Sequence, residues 1–181
     1  MNGLLKYRLM TVFQYIEIIS KQFDCITEWA GKLVAWLVLG MVVVTFSVVV
    51  MRYGFDYGRI AIQEAITYMH GFVFMLAMAY TLKMNEHVRV DVFFRKFTKK
   101  TQSITNILGT LLLLIPTSIF IFWISWDYVY DSWFHLEGSK EAGGLPFIFI
   151  LKSTIPIAAF LLLLQGISEI FKNICMFRNN D

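Results

Sequence analysis

A chain of 181 residues that is 57% hydrophobic and 17% aromatic carries more apolar surface than a soluble domain of this size buries, so the bilayer is its expected solvent. The net charge of +3 is modest, and no segment has the separate basic, polar composition of a nucleic-acid-binding domain, so no nucleic-acid partner is expected. The two cysteines, Cys25 and Cys175, provide neither a disulfide framework nor a metal cluster.

In chain order, Leu5, Leu9, Val12, Ile16, Ile19 and Phe23 recur at helical spacing, with Lys6, Glu17, Lys21 and Asp24 elsewhere around the wheel. The pattern predicts an amphipathic N-terminal helix over about residues 4–31, lying in the cytoplasmic interface with its cations toward anionic headgroups. A first uncharged run follows, and it begins too late and lacks the small-residue exit of a cleaved signal peptide. Spans are expected at about residues 33–53, 62–83, 103–126 and 146–171. Each is close to or above the roughly 20 residues that cross a hydrocarbon core of about 30 Å, and the third is long enough to tilt. Between spans two and three, Val90, Phe93, Phe94 and Phe97 share a face beside Arg95, Lys96, Lys99 and Lys100, which predicts a second interfacial helix over about residues 90–100. The fold class is therefore an all-α integral membrane protein: one membrane domain of four spans with interfacial amphipathic helices.

Short loops rich in Lys and Arg stay in the cytoplasm. Twelve of the 16 such residues fall in the N-terminal segment, the loop after span two and the tail, which places both termini in the cytoplasm. The opposite side holds Arg52, Arg59, Lys140 and Lys152, with Asp127, Asp131, Glu137 and Glu141. Trp29 and Trp36 at one boundary, and Trp123 and Trp126 at another, read as interfacial anchors among the lipids.

Span two holds the polar residues that need explaining. Ile62, Ile66, Met69, Val73, Leu76 and Tyr80 form an apolar stripe suited to lipid. Gln63, Thr67, His70, Phe74, Ala77 and Thr81 form a polar or small one suited to a neighbouring helix, in this chain or in a partner. Glu64 lies near the outer edge of this span, and an isolated charge at such a depth is costly, so it is expected to pair with Arg52 or Lys152. Pro116 and Pro156 are expected to kink spans three and four, with Thr117, Ser118 and Thr154 near enough to satisfy the freed backbone groups.

The middles of the spans read "GMVVVTF", "FVFMLAM", "LLLIPTS" and "IAAFLLL". None holds a carboxylate, lysine or arginine, whereas a self-sufficient ion-coupled carrier needs polar groups or broken helices near the midplane. No phosphate-cradling loop, nucleophile motif or metal cluster is present, so neither an enzyme nor a resident cofactor is expected. Two other readings stay open: a haem-binding anchor of a redox enzyme using His70, and a small homodimeric drug or proton antiporter using Glu64. The other histidines, His87 and His135, fall in loops on opposite sides, and Glu64 stands near an edge.

The order of motifs adds a resemblance. Arg52-Tyr53, the Glu64 that opens span two, and "HVRVD" at His87 to Asp91 resemble the small, four-helix membrane subunit of TRAP (tripartite ATP-independent periplasmic) transporters, the DctQ type. The later "GGLP", the Lys152 and Pro156 of "KSTIP", and "LLLLQG" are similar to the same family. One departure is Ala61, where the family often has tryptophan. The resemblance implies a partner rather than a catalyst. A large membrane subunit carries the solute and sodium sites and moves, the small subunit braces it, and a periplasmic binding protein delivers an organic acid or related solute.

Overall fold

A helix satisfies every backbone polar group within itself, so long apolar runs with no water around them fold as helices and little else. The computed structural model describes residues 2–86, 94 and 96–179, with side chains across residues 14–177 of those stretches. Four candidate spans are present, and the described residues contain helices and turns but no strand.

Helix α1 runs without a break over Asn2–Phe55. The amphipathic N-terminal segment is therefore continuous with span one, not set off from it by a turn. Helix α2 covers Ile60–Lys83 and α3 covers Lys99–Gly109. A π-helical turn, Thr110–Leu114, joins α3 to α4, Ile115–Phe134. Helix α5 covers Ile148–Asn179. Of the expected interfacial helix, Val90, Phe93 and Arg95 lie outside the described residues, as does "HVRVD". Lys96 and Phe97 form a turn, and Lys99 and Lys100 open α3, where the Thr98 side chain caps the Thr101 N–H.

The ends of the helices have local causes. Asn85 takes a left-handed φ of 61°, and the Glu86 N–H returns to the Thr81 carbonyl at 3.0 Å, closing α2. Leu136, at φ 46°, closes α4 in the same way, with the Glu137 N–H on the Ser132 carbonyl at 3.0 Å. Pro116 has no N–H to give the preceding turn, and the π turn lies directly before it, with the Ile115 N–H on the Thr110 carbonyl. At Pro156 the freed carbonyl is that of Lys152, but the Thr154 hydroxyl goes to Leu151 instead, at 2.6 Å.

Helix α5 is the axis of the bundle. About 33% of its most apolar window is buried inside the molecule, against 6% for each of the other three spans. The helices meet through small side chains, as membrane helices do in the absence of a hydrophobic driving force between them. Ala30, Ala79 and Leu161 form the core where α1, α2 and α5 converge. Gly31 accepts the root of the Tyr80 side chain, Gly71 accepts Leu151, and Gly166 accepts Leu114. The buried polar side chains include Ser20, Thr27, Thr154, Gln165, Ser168 and Asn173, most of them bonded across helices or to their own backbone.

Candidate functional site

The polar chemistry gathers at the two ends of the bundle and on the outer face of α2. At the Glu64 end, the loop between α4 and α5 folds back over the α2 carboxylate. Glu64 accepts the Ser139 hydroxyl on one oxygen and the Leu145 N–H on the other, the latter at 2.6 Å. The loop closes on itself through the Ser139 N–H to the Leu145 carbonyl at 2.9 Å. Its glycines are needed there. Gly143 has φ +80°, and a Cβ on Gly144 would stand 2.6 Å from a Glu64 carboxylate oxygen. The "GGLP" element is thus the cradle of a carboxylate.

The ion pair expected for Glu64 goes elsewhere. Lys152 pairs with Glu137 and stands over the Tyr128 ring at 3.9 Å from its centroid. Glu137 also accepts the Ser132 hydroxyl at 2.7 Å. The Schellman turn at Leu136 carries Glu137 back across the top of α5, which is why a loop carboxylate reaches Lys152 before Glu64 does. The Lys152 ammonium, followed by the Ser132 hydroxyl, holds the Glu137 carboxyl below its usual range. Arg52 is exposed beside a shallow recess with Asp56 and Gln63, and it makes no ion pair with the other described residues.

The opposite end holds a larger network, not anticipated from the sequence. Asp24 of α1 accepts Ser168 at 2.7 Å, Gln165 at 3.1 Å and Lys172 at 2.8 Å, all from α5. One turn on, Glu28 takes Lys83 of α2 at 2.5 Å and Lys32 at 2.7 Å. Asn106 of α3 donates to Asn173 of α5 at 3.2 Å. The signal was available: Gln165, Ser168, Glu169, Lys172 and Asn173 share one face of α5, and Ser20, Asp24, Thr27 and Glu28 one face of α1.

Span two turns its apolar stripe into the bundle rather than toward lipid. Leu76 packs on the core and Tyr80 against Gly31, so the apolar stripe serves this chain's own contacts. Gln63, Thr67, His70 and Phe74 are exposed on the outside of the bundle. His70 stacks on Phe74 with ring centroids 6.4 Å apart, and His135 lies on a different element, just past the end of α4. Trp29, Trp36, Trp123 and Trp126 are also exposed, as are Lys96, Lys99 and Lys100.

Residues 41–176 match the family described as tripartite ATP-independent periplasmic transporters, DctQ component. The chain belongs to this family. No curated protein and no solved structure matches it. It is a TRAP small permease subunit, a multi-pass protein of the bacterial inner membrane and a component of a transporter. In this family the small subunit is one of three parts, beside a large membrane subunit and a periplasmic binding protein.

Proposed function

We propose that this TRAP small subunit is the static brace of a sodium-coupled importer of an organic acid or related small solute. It holds the large membrane subunit while that partner moves the solute. The observation that carries this reading is the placement of charge. The described ion pairs lie at the ends of the spans, and the stretches between them hold no carboxylate, lysine or arginine. A bundle fastened at both ends, with no charged side chain between them, offers rigidity and no charged path for an ion or an anion. The solute and sodium sites then belong to the large subunit, and this chain carries no cofactor.

The Lys and Arg distribution supports an orientation with both termini in the cytoplasm, which turns the Glu64–Leu145 cradle to the periplasm, the side from which the binding protein delivers. The exposure of Trp29, Trp36, Trp123 and Trp126 supports their role as anchors among lipid headgroups.

Affinity purification from membranes that contain the whole transporter tests the reading. The tagged subunit is expected to carry a large polytopic partner through mild detergent. Recovery of this chain alone, or with a haem protein, would remove the support.

A further inference from the structure

Four hydroxyl-bearing or imidazole side chains distinguish the outer faces of α1 and α2. On α1, Thr45 and Ser47 lie among exposed valines and phenylalanine, and each hydroxyl donates to its own helix, Thr45 to Met41 at 2.7 Å and Ser47 to Val43 at 2.8 Å. A hydroxyl that faces hydrocarbon is expected to do this, because lipid supplies no partner. On α2 the outward-facing polar groups behave differently. The Thr67, His70 and Gln63 side chains are exposed, and none makes a hydrogen bond with any described residue. His70 stands about 15 Å from the start of a 24-residue helix and about 20 Å from its end, near the midplane. An imidazole there has hydrogen-bonding capacity that lipid leaves unfilled.

We propose that the Gln63–Thr67–His70–Phe74 face of α2 is the surface on which a helix of the large TRAP subunit docks. That helix bears a hydrogen-bonding side chain or an opened carbonyl level with Thr67 and His70. The inference rests on the brace reading and specifies its contact face. Depth disfavours an aqueous ligand, and among the described residues these side chains make no hydrogen bond that would fasten them to another helix of this chain. Membership of a family with a second, larger membrane subunit supplies the occupant. Near the Glu64 end, the stripe meets the polar recess of Arg52 and Asp56 through Gln63, so it continues from headgroup depth into the membrane. The exposed flank of α1, with Val42, Val43 and Phe46, carries no unsatisfied group and is left to lipid.

Photo-crosslinking in the assembled transporter tests this. A benzophenone side chain is placed at Thr67 or Phe74, and at Val42 or Phe46 for comparison. Adducts with the large subunit are expected from the α2 positions and not from α1. Adducts from α1 alone, from both faces equally, or between two copies of this chain at Thr67 would overturn the proposed face while leaving the brace reading intact. If no large subunit co-purifies with the unmodified chain, both readings fall. A second measurement separates docking from folding. Thr67→Leu combined with His70→Leu is expected to lower the large subunit recovered by about tenfold. The melting temperature of the isolated subunit should not fall, since neither side chain hydrogen-bonds to any described residue. A melting temperature that drops with recovery would make these residues structural and overturn the proposal.

Discussion

The carboxylate of Glu64 on α2 accepts the backbone N–H of Leu145, 81 positions later, at 2.6 Å, and fixes the loop that leads into α5. Glu64→Ala strands this N–H and the Ser139 hydroxyl together. A loss of about 1–3 kcal/mol in stability is expected, measured as thermal unfolding in detergent, with faster proteolysis between Glu137 and Leu145. Glu64→Gln retains an acceptor and should lose less. Equal losses in the two variants would contradict this arrangement.

Gly144 and Glu64 form one unit. A Cβ at Gly144 collides with the Ser139 hydroxyl and a Glu64 oxygen, so Gly144→Ala should open the loop as Glu64→Ala does. Adding Gly144→Ala to Glu64→Ala should cost much less than the sum of the two. Additive losses in a double-mutant cycle would show the two residues to be independent.

Lys152 is largely buried, with 15% of its side chain exposed, and Glu137 is its counter-ion. Glu137→Gln should therefore destabilise more than the double change with Lys152→Met, because the single variant leaves an unpaired ammonium. The pH dependence follows from the depressed folded pKa of Glu137. Its contribution is full above the unfolded carboxylate value of about 4.3 and is lost as pH falls through the lower folded value. The melting-temperature gap between wild type and Glu137→Gln should thus be wide at pH 7 and narrow toward pH 3. A gap independent of pH would contradict the pairing.

Gly31 and Gly166 differ in what they face. A Cβ on Gly31 would stand 2.8 Å from the Tyr80 Cβ, which moves only with the backbone of α2. A Cβ on Gly166 would meet the Leu114 Cδ2 at 2.6 Å, the mobile end of a side chain. Gly31→Ala is expected to cost about 1–3 kcal/mol by overpacking, and Gly166→Ala distinctly less. Equal melting temperatures for the two variants would show that α1 and α2 separate more easily than their close approach implies.

The four spans were legible because uncharged runs of this length have few other folds, and the glycine-rich turn before span four lies where its composition put it. The pairings were not. Glu64, Arg52, Lys152 and Glu137 all fall near one end of the bundle, and which pair forms depends on the Leu136 turn and the path of the loop, neither of which leaves a charge pattern. The Asp24 network was readable in part: the polar face of α5 from Gln165 to Asn173 has helical spacing, but its partner face on α1 belongs to an amphipathic segment whose charges suit lipid headgroups equally well. The two stripes of α2 were sorted correctly by composition. The direction of the apolar stripe was not legible, because an apolar side chain fits a neighbouring helix as well as it fits lipid. Hydropathy alone therefore cannot tell the inside of a small membrane bundle from its outside.

Transport by purified components in sealed vesicles tests most directly whether this chain moves a solute or only supports the partner that does. Vesicles with an imposed inward sodium gradient are offered a panel of radiolabelled small carboxylic acids, with the small subunit alone, the large subunit alone, and both together with the binding protein. Accumulation is expected only in the complete set. Uptake by vesicles holding the small subunit alone, above that of empty vesicles, would contradict its role as a brace.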